Sequence, residues 1–141
     1  LDGWSGTRSP QADKEELVLE LLAAGIDCRP VDHPGDLRVN ITITEPDGTT
    51  TKINQPGAYL NPEELNAVEK AAIERSSGAQ WVVLSGSLPP GVPTHWYATM
   101  TGRLHDAGRK VAVDTSDQPL KELAARLPDL APDLVKPNSV E

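Results

Sequence analysis

Val82 to Pro93 reads VVLSGSLPPGVP, an apolar run that breaks off into two serines, two glycines and three prolines. The first half has the β-branched character of a strand. The second half holds more turn chemistry than a simple reversal needs, which makes it a candidate ligand loop. Two further runs downstream share the strand character, "RKVAVD" and "PDLVKP". Like "QWVVLS", they show little polar alternation, and this predicts strands covered on both faces. Between the three lie "THWYATMTGRLHDAG", with Thr94 as a candidate N-cap and Gly108 as its stop, and "DQPLKELAARL". Strand, helix, strand, helix, strand in this order predicts a parallel βαβαβ sheet with right-handed crossovers, an α/β fold.

The residues before this unit read differently. Gln11 to Ala24 sets Leu17, Leu21 and Ala24 on one face of a predicted amphipathic helix, with acids early and Gly25 placed to end it. "DLRVNITITEPDGTTTKI" alternates Val39, Ile41 and Ile43, predicted inward, with Arg38, Asn40, Thr42 and Thr44, predicted outward. "EPDG" supplies the turn of a β-hairpin. "NPEEL" announces a second helix, with Asn61 as N-cap, Pro62 at the first helical position and an end near Arg75.

In a parallel sheet all strands finish at one edge, and ligands bind beyond the carboxyl ends. The three predicted ends are polar: Ser85, Gly86 and Ser87; then Asp114, Thr115 and Ser116; then Lys136, Pro137 and Asn138, with Glu141 following. Small donors beside glycine let a backbone approach an anion, and a helix start near Thr94 would add its dipole. Phosphate is the anion these groups suggest. Each group also has a plainer reading. "SLPPG" can be a rigid turn, Asp114 an N-cap, and Lys136 or Arg38 a solvated charge. Asn138 with Glu141 can form a capping box.

Composition narrows the alternatives. The chain has 141 residues and a formal charge of −8, with no cluster of Lys and Arg, which argues against a phosphate-tracking grip on nucleic acid. Its single cysteine, Cys28, has no partner for an internal disulfide, and Cys28, His33, His95 and His105 match no metal-ligand spacing. Cys28 reads as a small apolar residue. No apolar run approaches the roughly 20 residues of a membrane span, and "LDGWSG" lacks a signal-peptide layout. A soluble, cytoplasmic protein without membrane or nucleic-acid partners is the expectation. The start lacks a methionine and the end "KPNSVE" follows a strand-like run directly, which together predict an interior stretch of a longer protein.

"SGSLPPGVP", "VDTS" and "LVKPNSVE", preceded by "LRVNITITEPDG" and "NQPGAYL", resemble the PfkB (ribokinase-like) carbohydrate kinases. Within that family the likeness is to the branch of 1-phosphofructokinase and tagatose-6-phosphate kinase, and it runs in unbroken order from Leu17 to Glu141. The resemblance implies a parallel sheet core, part of a three-layer α/β/α sandwich, with a small β-hairpin lid. Residues 1–36 would belong to the core, 37–58 to the lid, and 59–141 to the core segment carrying the phosphate and Mg-ATP rim. It implies ATP and Mg2+ as cofactors and a hexose phosphate, foremost fructose 1-phosphate, as acceptor.

Residue by residue, Arg38 is similar to the lid arginine that clamps the sugar's existing phosphate, where a guanidinium offers a bidentate fork. Ser87 resembles the serine on the same phosphate, with Gly86 giving backbone access. Asn40 and Gly57 fall near the sugar. Asn138 and Glu141 match the family's "NxxE", which organises Mg-ATP largely through metal-bound water, and Lys136 and Asp114 fall beside it. A homodimer through the lid is a further implication, with Ile41, Ile43 and Ile53 against the second subunit. The family's glycine-containing sugar segment and its "GAGD" segment, which carries the catalytic base, do not occur in these residues. The resemblance therefore implies no catalytic base here, and an inactive chain when taken alone. A non-catalytic sugar-phosphate or nucleotide module of the same fold is the alternative. A receiver-like domain fits poorly, because it explains neither the hairpin nor "NxxE".

Overall fold

The computed structural model describes residues 10–137, with side chains from residue 14 onward. The chain divides into two compact units, Leu1–Tyr59 and Leu60–Glu141.

In the first unit, helix α1 spans Pro10–Ala23, and strands β1 (Asn40–Thr44) and β2 (Thr50–Asn54) form an antiparallel hairpin. Gly25, at φ 79°, follows the helix as its sequence position predicts. The hairpin turn closes through Glu45 N–H to Thr49 O (2.8 Å) and Gly48 N–H to Glu45 O (2.9 Å). Asp47 accepts the Thr49 N–H at 2.9 Å, and that bond lowers its carboxyl pKa. Register puts Ile41 opposite Ile53 and Ile43 opposite Thr51.

One expectation fails here. Val39, Ile41, Ile43 and Ile53 are about half exposed, at 49 to 51%, so neither face of the hairpin is inward. Leu17 and Ala24 are exposed and Leu21 is only half-buried, so the apolar stripe of α1 is uncovered. A two-stranded ribbon and one helix offer too little surface to bury each other's apolar faces.

In the second unit, α2 (Pro62–Arg75), β3 (Trp81–Ser85), α3 (Trp96–Asp106), β4 (Lys110–Thr115), α4 (Asp117–Ala124) and β5 (Leu134–Pro137) follow in order. Strands β3, β4 and β5 are parallel and adjacent in that order, as predicted. The start of α2 is a complete capping box. Asn61 Oδ1 accepts the Glu63 and Glu64 N–H groups at 2.9 Å each, and Glu64 Oε2 accepts the Asn61 N–H at 2.9 Å. Glu69 on α2 accepts Trp96 Nε1–H at 2.9 Å and pairs with Arg103, tying α2 to α3.

The core gathers Leu84, Val111 and Val113 from the sheet with Tyr97, Ala98, Met100 and Leu104 of α3 and Leu123 of α4. The opposite face carries Trp81, Val83 and Leu134, exposed at 45, 65 and 57%. Coverage on both faces, as predicted, is therefore corrected to coverage on one. The physical reason is topological. Strands added in one direction by right-handed crossovers send both connecting helices to the same side of the sheet.

Two caps also differ from expectation. Helix α3 starts at Trp96 after His95, not at Thr94, because a turn closed by Trp96 N–H to Pro93 O (2.9 Å) occupies the preceding residues. Ser116, not Asp114, precedes α4, since Asp114 is held in β4 by its pairing with β3 and β5. Gly108, at φ 74°, ends α3 as predicted. Among the described residues no helix is long and apolar enough to cross a membrane.

Candidate functional site

The register of the parallel sheet places Ser85, Asp114 and Lys136 in one row across the carboxyl edge. They meet through side chains. Ser85 Oγ–H donates to Asp114 Oδ2 at 3.3 Å, and Lys136 Nζ approaches the two carboxylate oxygens at 3.5 and 3.4 Å. The Lys136 side chain is 69% exposed and that of Asp114 27%, so the pair adds little stability, at most about 1 kcal/mol. Its value is geometric, because it fixes a carboxylate and an ammonium beside the loop that follows β3.

That loop begins at Gly86, whose φ of 113° is a conformation glycine adopts without penalty. A Cβ there would meet nothing within 4 Å, so backbone conformation rather than space requires the glycine. Gly86 N–H donates to Asp114 O at 3.1 Å. The Tyr97 hydroxyl donates to Gly86 O at 2.7 Å, and Thr115 Oγ1–H reaches the same carbonyl at 3.5 Å. Ser87, next in the chain, is exposed. Burial raises the Tyr97 pKa, its bond with Thr115 opposes that rise, and the Asp114 charge adds to it. The phenol therefore stays protonated, and a donor, across the neutral range. Sequence reasoning missed Tyr97. The one available signal was its place in the first turn of the helix that leaves the loop.

In the first unit, Arg38 Nε–H donates to Asn40 Oδ1 at 3.1 Å, which brings two of the candidate residues together. Val39 N–H donates to Gln55 Oε1 at 3.0 Å and Gln55 N–H to Val39 O at 3.3 Å, closing the root of the hairpin. Gly57, at φ 85°, lines a hollow of about 430 Å³ with Asp36, Leu37 and Gln55. Nearby, Gly35 N–H donates to His33 Nδ1 at 2.8 Å. A Cβ on Gly35 would lie 2.4 Å from Ala58 Cβ, so close approach requires glycine there.

The candidate residues Asn138 and Glu141 lie outside the described residues. Among the described residues no three His, Cys, Asp or Glu side chains gather into a metal cage. The donors at the sheet edge are hard oxygens with a single carboxylate. Such a set suits magnesium, which keeps most of its waters and binds through one or two carboxylates and substrate phosphates.

No family model matches the chain. It is 40% identical over 111 residues to 1-phosphofructokinase of Rhodobacter capsulatus, an alignment covering 77% of this chain and 34% of that protein. The ATP-dependent 6-phosphofructokinase isozyme 2 of Escherichia coli is 33% identical over 131 residues, covering 92% of this chain and 41% of that one. A solved structure of a Thermotoga maritima protein described as a possible 1-phosphofructokinase superposes with a TM-score of 0.78 at 29% identity, over 88% of this chain and 39% of that one. The chain belongs to the PfkB, ribokinase-like family. It spans between a third and two-fifths of the length of these relatives. As a PfkB member it carries the parallel sheet edge and the Gly86 loop on one unit and Arg38, Asn40 and Gly57 on the other.

Proposed function

We propose that this chain supplies the acceptor-phosphate grip and part of the Mg-ATP rim of a kinase. That kinase transfers the γ-phosphoryl group of ATP to a hydroxyl of a hexose phosphate, with fructose 1-phosphate as the favoured acceptor and fructose 1,6-bisphosphate as product. The observation that carries this reading is the row of Ser85, Asp114 and Lys136 at the carboxyl edge, joined to a glycine loop that leaves Ser87 exposed. The likeness to 1-phosphofructokinase supports the choice of acceptor.

In this reading Arg38 and Ser87 hold the sugar's existing phosphate, and Gly86 lets the backbone come close. Asn40 and Gly57 border the sugar. Lys136 and Asp114 face the ATP phosphates, where an ammonium offsets developing charge. Asn138 and Glu141 would hold magnesium through its waters. Bound magnesium would neutralise charge on the phosphates. Positioning and charge neutralisation supply most of the acceleration in phosphoryl transfer, so residues that only grip and orient matter. The base that deprotonates the acceptor hydroxyl is assigned to residues outside this chain. The exposed apolar face of the hairpin is assigned to a homodimer contact.

The test uses the protein expressed from its gene, with ATP, Mg2+ and, in turn, fructose 1-phosphate, fructose 6-phosphate and tagatose 6-phosphate. Arg38→Ala should raise the acceptor KM by about 10- to 100-fold, the equivalent of one charge-assisted hydrogen-bonded contact, with the ATP KM within about twofold. Equal effects on both substrates would remove Arg38 from the clamp. Acceptor binding without turnover would point instead to a non-catalytic module. Turnover by residues 1–141 alone would overturn the placement of the base.

A further inference from the structure

Tyr97 has no part in the reading above, yet it is 2% exposed and its hydroxyl is aimed at the loop between Ser85 and Ser87. Its partner, the Gly86 carbonyl, belongs to the peptide unit whose N–H is that of Ser87. A trans peptide is planar, with its C=O and N–H pointing in opposite directions. A hydroxyl that draws the Gly86 oxygen towards α3 therefore turns the Ser87 N–H away from the helix.

Gly86 needs such a restraint. Glycine has the widest backbone freedom of any residue, and nothing lies within 4 Å of its missing Cβ to limit it by packing. Hydrogen bonds do so instead: its N–H is held by Asp114 O at 3.1 Å and its C=O by Tyr97 at 2.7 Å. Thr115, at 3.5 Å from the same oxygen, is the weaker of the two side-chain donors.

We infer that Tyr97 is a positioning residue that fixes the Gly86–Ser87 peptide, so that the Ser87 N–H and hydroxyl converge on the acceptor's phosphate. This rests on the reading of the Ser85–Ser87 loop as the acceptor-phosphate site.

The experiment measures binding by calorimetry on the protein expressed from its gene. Kd is determined for ATP and for whichever of fructose 1-phosphate or fructose 6-phosphate binds more tightly. Tyr97→Phe keeps the ring and its edge-on contact with Trp96 while deleting the donor. It should weaken sugar-phosphate binding about 5- to 10-fold, as expected for one buried hydrogen bond, and leave ATP binding within about twofold. Thr115→Val should show the same selectivity with a smaller loss. Leu104→Ala truncates the core at the far end of α3, seven residues or about 10 Å along the helix. It should lower the melting temperature without a selective loss of sugar-phosphate affinity.

If Ser87→Ala weakens sugar-phosphate binding and Tyr97→Phe does not, the positioning role falls and the reading of the loop survives. If neither Ser87→Ala nor Tyr97→Phe weakens sugar-phosphate binding, the loop reading fails and the role of Tyr97 with it. If Leu104→Ala reproduces the selective loss, general loosening accounts for the effect and the proposal is overturned.

Discussion

Strand β4 and the hairpin strands β1 and β2 each set β-branched residues at every second position and meet different fates. In β4, Val111, Val113 and Thr115 are buried to 2% exposure or less. In the hairpin, Ile41, Ile43 and Ile53 stay about half exposed. The difference lies in what the intervening chain provides. Between β3 and β5 it forms two helices, and the right-handed crossover rule lays both on one face. Between β1 and β2 it forms a tight turn, which brings the strands together and covers nothing. Alternation marks which residues share a face; the connections decide whether that face is covered.

Substitutions can break this comparison. The largest effect should come from Met100→Ala in α3, fully buried against the sheet, at about 2–5 kcal/mol of unfolding free energy by denaturant titration. A loss below about 1 kcal/mol would show the core to be loosely packed.

A smaller effect should come from Asp133, which secures the entry to β5. It accepts the Val111 N–H at 2.8 Å, and its own N–H donates to Val111 O at 2.9 Å. The Val111 bond, then His105, lowers its carboxyl pKa in the folded state. A depressed folded pKa contributes stability above the unfolded value of about 3.9, and that stability is lost as pH falls through the folded pKa. Asp133→Asn keeps an oxygen acceptor and should flatten this acid limb in melting temperatures measured from pH 6 down to 2. An unchanged acid limb would show that other carboxylates dominate it.

Smallest should be Ile41→Thr on the hairpin, at about 0.5 kcal/mol or less in dilute protein. A cost matching that of Met100→Ala would mean that the hairpin face is covered after all.

The sequence carried the order and direction of the core strands because each run of Val and Leu is bounded by glycine, proline or a capping residue. The start of α2 was legible as an Asn61 cap, since capping is local chemistry, while the return bond from Glu64 that completes the box emerged only in the structure. The true start of α3 was not legible. Thr94 is a good cap in isolation, but the turn from Pro93 to Trp96 claims those residues first. The row of Ser85, Asp114 and Lys136 was foreseen as a shared edge and not as contacts, because register across a parallel sheet is a nonlocal property. Tyr97 gave no signal beyond its position, since its partner is a backbone carbonyl eleven residues earlier.

The amino-acid sequence by itself determined the elements, the parallel topology and the polar edge of this protein. Each follows from short-range stereochemistry and from the handedness of L-residue backbones. Tertiary structure alone decided which sheet face is buried, which side chains meet at the edge, and that a buried phenol holds the glycine of the loop. Those outcomes depend on where separated segments come to rest against one another.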